Sequence, residues 1–348
     1  MDIPFFGSDY LITIRKLLSI NDLVGTILGA TVNLILLFVL YKMEKHEISN
    51  YKRIIILVTL TDFLLSLSNS MAMLSMETFS GYILTFTNGI TFLISSKIWT
   101  YSCIFFHMVL FQLSFCNICI TFFYRYLLLI HNYKLTNLQF FSIIICLILW
   151  NSSSLVTLSF CIIPSDNPEY KKLLTLFELP YKNELKEYER EIIIINIFVI
   201  YGLIYNIQLF ATSSICVVII YFSYYKIRKQ LQSQKNSMSS KSISLQTQLN
   251  RVMFCHALVP MFLAFIPVLI FEASDYFQFN IKGLGTLLFF SIEWVPFISG
   301  LISLTMINAC RNKFLTIIRL RNYISSHVVP LQQYTHRQSS VNISSFAG

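Results

Sequence analysis

Apolar residues gather in seven long runs separated by polar stretches, at 20–41, 54–75, 98–124, 138–163, 192–222, 252–274 and 284–307. A helix that crosses about 30 Å of hydrocarbon at about 1.5 Å per residue needs roughly 20 mostly apolar residues. Each run reaches that length. Hydrocarbon offers no water to satisfy main-chain groups, so a helix is the form such a run takes. The pattern predicts an all-α membrane protein, a seven-transmembrane helix bundle. The stretch "METFSGYILTFTNGITFLISSK" between the second and third runs is apolar enough to pass for another span. Its Gly81, Asn88 and Gly89, with Thr and Ser throughout, argue instead for a connection that folds back on the bundle.

Composition agrees with this pattern. Of 348 residues, 55% are hydrophobic and 12% charged, where a soluble domain carries about 25% charged residues. A net charge of +9 would suit nucleic acid only on the basic face of a soluble fold, so here it is counted loop by loop. The connections after the first, third and fifth runs, with the C-terminal tail, hold 17 Lys and Arg against Glu44 and Glu47. The N-terminus and the other connections hold 9, together with most of the acids. Positive charge stays inside, which puts the N-terminus outside and the C-terminus in the cytoplasm.

The segments between the runs follow from that orientation. Residues 1–19 form an extracellular N-terminus. Their "MDIPFFGSDY" has an early acid, no basic start and no small-residue cleavage site, unlike a signal peptide. In the long outer connection 164–191, "KNELKEYEREIIII" predicts an extension of the fifth helix above the membrane, supported by i,i+4 charge pairs. Residues 224–251 carry six Lys and Arg and no acid, which suits a polar cytoplasmic loop. Residues 308–326 set Phe314, Ile317 and Ile318 on one face, as in an amphipathic juxtamembrane helix. Residues 327–348 read as a disordered cytoplasmic tail.

Ionisable groups in hydrocarbon cost about 2.5 to 3.5 kcal/mol at a helix centre, so each needs a partner or a purpose. Asp22, Asp62 and Glu293 stand inside the runs. Asp22 lies at the outer mouth and reads as a solvated helix start. Asp62 and Asn33 each lie about 12 Å from the cytoplasmic ends of adjacent helices, within reach of a contact. That contact is either a single helix–helix hydrogen bond or part of an inner polar network. His107 and Glu293 share a depth of about 13 Å below the outer ends of helices three and seven. Either they face one ligand cavity, or His107 is a satisfied core histidine and Glu293 a hydrogen-bonded carboxyl. Trp294, Gln112, Asn206 and Gln208 complete the candidate ligand-binding set, whose aromatic walls suit a small, largely apolar ligand. An H-E-x-x-H, a P-loop and a nucleotide fingerprint are all absent from the sequence. Neither an enzyme nor a metal or cofactor site is expected.

Five stretches carry a family resemblance: "GATVNLILLFVLYK" (29–42), "NYKRIIILVTLTDFLLS" (50–66), "FFYRYLLL" (122–129), "LQTQLNRVMFCHALVPMFLAFIP" (245–267) and "VPFISGLISLTMINACRNKF" (295–314). In order and spacing they resemble the nematode serpentine chemoreceptors, seven-helix G-protein-coupled receptors, and most of all class delta. The resemblance implies that an odorant or pheromone-like small molecule is sensed in an outer cavity, with signalling to a heterotrimeric G protein from the plasma membrane of a sensory neuron. It implies that Tyr124, Arg125 and Tyr126 form the coupling switch, whereas an Arg at a helix end also snorkels to lipid headgroups without any such role. It further implies a disulfide between Cys103 and Cys161, which otherwise pack as small hydrophobes. Tyr124 stands where an acid commonly precedes the Arg, so the usual locking ion pair has no partner there. Membrane lipids are expected partners and nucleic acid is not. A ligand-gated channel or transporter is the alternative, although no internal repeat or chain of intramembrane charges supports it.

Overall fold

The computed structural model describes residues 8–43, 51–79, 81–87, 89, 97–173, 192–233, 240–279, 281 and 283–318. The segment "KNELKEYERE", the tail from 319 onward and residues 1–7 of the N-terminal segment lie outside the described residues. Among the described residues, seven helices are long and apolar enough to cross a membrane. The first five are α1 (Ser8–Lys42), α2 (Lys52–Ala72), α3 (Lys97–Ile130), α4 (Asn137–Ser159) and α5 (Ile200–Ser233). The sixth, α6, joins Ser240–Pro260 and Ile266–Tyr276 through a π-helical turn at Met261–Phe265. The seventh, α7, joins Leu284–Phe289 and Val295–Met306 through a 3-10 turn at Ile292–Trp294. A short α8 follows at Asn308–Ile317, inside the stretch expected to form a juxtamembrane helix.

Several helices overrun their apolar runs, because polar residues extend a helix as readily as apolar ones. Helix α1 starts at Ser8 rather than residue 20, α3 runs to Ile130 rather than 124, and α6 starts at Ser240 rather than 252. Arg125 is therefore inside α3, more than a turn from its end. The start of α4 is fixed by Thr136, whose hydroxyl accepts from the Gln139 main chain while the Gln139 side chain accepts from the Thr136 main chain.

The fifth helix starts later than its apolar run. Residues 193–196 form a strand, β3 (Ile193–Asn196), so the expected helical extension through the isoleucines is not formed. A run of β-branched side chains favours a pleated strand covered on both faces over a helix turn. Its partner is the hairpin made by β1 (Leu74–Phe79) and β2 (Tyr82–Thr87), the stretch that could have passed for an eighth span. The three strands pair antiparallel in the order β1-β2-β3, with Phe79 opposite Tyr82 and Ile194 opposite Leu84. Gly81 turns the hairpin at φ 85°, a left-handed conformation in which a Cβ is strained.

This sheet closes one end of the bundle. Alternate side chains divide between two apolar layers: Ile193 and Ile195 pack with Ala72 and Phe271 toward the helices, and Ile192 and Ile194 pack with Ile163 and Leu173 on the far side. Glu77, buried in β1, accepts hydrogen bonds from the Gly283 and Thr286 main chains at 3.2 and 3.3 Å and from the Thr286 hydroxyl, which ties the sheet to the start of α7.

Pro260 and Pro267 flank the π-helical turn of α6. Pro267 has no N–H to give the Leu263 carbonyl four residues before it. Ser291 of α7 takes over that role, its hydroxyl donating to the Leu263 carbonyl at 2.8 Å. Along α4 and α5 the large exposed side chains Leu138, Phe141, Ile145, Leu149, Ile207, Val218 and Tyr221 form the apolar face that a bilayer would cover.

Candidate functional site

A cavity of about 100 Å³ opens between α3, α4, α5 and α6. Its walls are mostly apolar, with Phe111 and Phe115 from α3, Trp150 from α4 and Phe265 from α6. Phe111 and Phe115 meet edge to face at 5.4 Å, and Phe115 meets Phe265 at 6.3 Å. Two of the residues expected at a ligand site line this cavity, Gln112 and Gln208. Gln112 accepts from Ser154 at 3.0 Å and bonds Tyr205, and Gln208 donates to the Trp150 carbonyl and to Ser153, both at 3.1 Å. Both side chains thus bridge helices and present their remaining capacity to the cavity.

The other four expected ligand residues do not line it. His107 hydrogen-bonds Ser68 of α2 at 3.1 Å. Glu293 packs against Gly25 of α1 and interacts electrostatically with Asp22. The two share a depth but face different neighbours, because α3 and α7 turn these positions toward α2 and α1. Trp294 donates to Asn21 at 2.9 Å, and Asn206 is buried in α5 with its carbonyl oxygen unpartnered. The acid that does line the cavity is Glu272, in the second half of α6. It lies inside the run 252–274, where setting each acid against the run boundaries reveals it.

Deeper in the bundle, Asp62 organises a polar chain. It accepts from Ser299 at 2.6 Å and from Ser114 at 3.3 Å, and His256 joins Ser299 at 3.2 Å and Ser303 at 2.9 Å. Asn33 does not bond Asp62. Its amide donates to the Pro296 carbonyl of α7 and to the Gly29 carbonyl, both at 2.9 Å. Gly300 allows the approach, since a Cβ there would meet Asn33 Oδ1 at 2.8 Å. In place of a contact with each other, Asn33 and Asp62 each bond α7, at Pro296 and Ser299.

At the end of the bundle away from the sheet, Arg125 is fully buried, so it does not snorkel to a headgroup layer. Its guanidinium is clasped by α6. Nη2 donates to the Gln246 carbonyl at 2.6 Å and to Gln246 Oε1 at 3.2 Å, and Nη1 reaches Met253 Sδ at 3.1 Å and Asn250 Oδ1 at 3.5 Å. Tyr51 lies 5.9 Å away beneath the cation and donates to Gln246 Oε1 at 3.2 Å. Tyr124 is buried against Phe140, and Tyr126 turns to His131 at 3.2 Å and to the Phe222 ring. Gln246, Asn250 and Met253 recur at helical spacing, a pattern visible in the sequence once a partner for Arg125 is sought. A second cavity of about 60 Å³, lined by Tyr51, Met253, His256 and Ser303, lies beside this clasp.

Cys103 and Cys161 are free thiols, so the disulfide implied by resemblance is not formed in this structure. Both are buried, and Cys161 packs under the sheet with Ile193 and Ile195. Among the described residues no group of His, Cys, Asp and Glu is placed to hold a metal ion.

Comparisons with known proteins place this architecture. The model of the serpentine type seven-transmembrane G-protein-coupled chemoreceptor family Str matches residues 18–315. No curated protein sequence matches the chain. Among solved structures, squid rhodopsin matches the fold with a TM-score of 0.55 and 12% identity, over 87% of this chain and 85% of that one. The match to the family model runs through all seven helices, and the chain therefore belongs to the Str family of serpentine chemoreceptors, multi-pass membrane receptors that are not enzymes.

Proposed function

We propose that this receptor senses a small, largely apolar odorant or pheromone-like molecule in the cavity between α3 and α6, and signals from the Arg125 end to a heterotrimeric G protein. The charge count supports an N-terminus outside and the clasp in the cytoplasm, in the plasma membrane of a sensory cell. The class-delta likeness rests on the quoted motifs, whereas the family model that matches is Str.

One observation carries the reading. Met261 and Phe265, the ends of the π-helical turn in α6, line the cavity, while the first half of the same helix holds Arg125. A ligand that presses on the turn acts where the helix ladder is weakest. Motion of Ser240–Pro260 away from α3 then breaks the contacts of Gln246, Asn250 and Met253 together, and frees the guanidinium for a carbonyl-rich partner surface. Ligand and G protein each favour the open arrangement, so each raises the affinity for the other.

The test is a small-metabolite and volatile screen of cells expressing the full chain, read as calcium or cAMP, beside Arg125→Ala at equal surface level. A response lost in the variant supports coupling through Arg125. A response that survives as a fast membrane current would replace this reading with a channel.

A further inference from the structure

Glu272 lines the cavity, in a wall otherwise made of apolar, aromatic and uncharged polar side chains. Asp275 lies one turn further along the same helix, fully buried, and among the described residues neither of its carboxylate oxygens has a hydrogen-bonding partner. The two acids interact with each other, and among the described residues no Lys, Arg or His pairs with either. Tyr205, held by Gln112, also feels the field of Glu272. A pair of carboxyl groups inside a membrane bundle is costly without a counter-charge, and the described chain supplies none.

We propose that the counter-charge comes with the ligand: the cavity takes an organic ammonium with an apolar body, its cation at Glu272 and its hydrocarbon between Phe111, Phe115 and Phe265. The ring arrangement suits this ligand. A ring face attracts a cation and a ring packs against alkyl groups, and Phe111, Phe115 and Phe265 all line the cavity. Asp275 stands behind Glu272 and adds negative potential without touching the ligand. Gln112 and Gln208 bridge helices and, like Asn151, Ser154, Thr212 and Ser213 in the same wall, are neutral, so the acid is the lining group that meets a cation. A purely apolar ligand would leave Glu272 facing hydrocarbon, whereas an alkylammonium pairs it through a charge-assisted hydrogen bond.

This inference rests on the cavity being the ligand site, and the experiment separates the two. The full chain is placed in nanodiscs of zwitterionic lipid, and its thermal midpoint is followed against n-alkylammonium ions from butyl to octyl and the matched 1-alkanols. The ammonium series should stabilise the wild type at concentrations about tenfold lower than the alcohols. Glu272→Gln should remove that preference and leave the alcohol response in place, and Ser154→Leu, which fills the cavity wall, should remove both. Equal potency of ammonium and alcohol on the wild type overturns the ammonium assignment while leaving the cavity as the ligand site, and it needs no variant to fold. A preference that persists in Glu272→Gln overturns it equally. If neither series shifts the midpoint, or if Ser154→Leu leaves both responses intact, the cavity reading fails and the ammonium assignment with it.

Discussion

Nη2 of Arg125 donates to the main-chain carbonyl of Gln246 at 2.6 Å, so the buried cation of α3 is held by a helix carbonyl of α6 rather than by an acid. The position before it is Tyr124, whose ring packs on Phe140 and leaves the guanidinium to neutral groups: an amide, a thioether and the face of Tyr51. Contacts of this kind hold a charge in place with less Coulomb energy than a carboxylate would bring. They also part without stranding a second charge.

The clasp should therefore be tunable in both directions. Asn250→Ala removes one acceptor, and since a helix–helix hydrogen bond in membranes contributes about 0.6 kcal/mol, ligand-independent signalling should rise about threefold. Gln246→Glu supplies the missing acid and should lower basal signalling below the wild type. Basal second-messenger levels at matched surface expression decide the matter. An unchanged baseline in both variants would show that the resting state is held elsewhere.

Ser291 and Pro267 form a second pair that can be tested as a cycle. Ser291→Ala leaves the Leu263 carbonyl of α6 without its donor and should cost about 1 kcal/mol of stability. Pro267→Ala restores an N–H four residues along that can serve the same carbonyl. The double variant should then recover most of the loss seen in Ser291→Ala alone, a coupling that thermal unfolding in detergent can measure. Simple additivity of the two effects would mean that the serine acts through another contact.

The seven spans were legible because a bilayer imposes one length and one polarity on every crossing helix. The strand at Ile193–Asn196 was not, since four successive isoleucines satisfy a buried strand and a membrane helix equally well. Depth along a helix was readable for His107 and Glu293, yet azimuth was not: one residue turns a side chain by about 100°, so shared depth could not show that one faces α2 and the other α1. The same blindness hid the partner of Asn33, which lies on α7 rather than α2. The resemblance drew attention to Arg125, but its burial depended on α3 continuing to Ile130 and on a polar face of α6 beyond the apolar run.

Cysteine chemistry gives a direct check on the sheet end of the bundle. Cys161 is a free thiol, and burial raises its pKa above the usual thiol value, so at neutral pH it holds even less thiolate than an exposed cysteine. Maleimide should therefore leave Cys103 and Cys161 unlabelled in the folded receptor and reach both once the chain is unfolded. Mass spectrometry after unfolding without reductant should find both Cys103 and Cys161 modified. A peptide pair released only by reductant would restore the disulfide.

Glu77 gives the sheet its firmest attachment, and its loss should be felt at both partners. Its carboxylate receives the main-chain N–H groups of Gly283 and Thr286 at the very start of α7, where a helix has no acceptors of its own, and the Thr286 hydroxyl as well. Glu77→Ala strands three buried donors, each worth about 1 to 3 kcal/mol when unsatisfied, so a loss of about 3 kcal/mol or more is expected. Glu77→Gln keeps one acceptor oxygen and should lose less. Thr286→Val removes only the hydroxyl contact and should lose least. If the sheet is a lid whose hold on α7 depends on this residue, hydrogen exchange in β1 and β2 should speed up in the same order as the thermal midpoint falls. Faster exchange in β1 and β2 with an unchanged midpoint would instead show that the sheet opens independently of the helices beneath it.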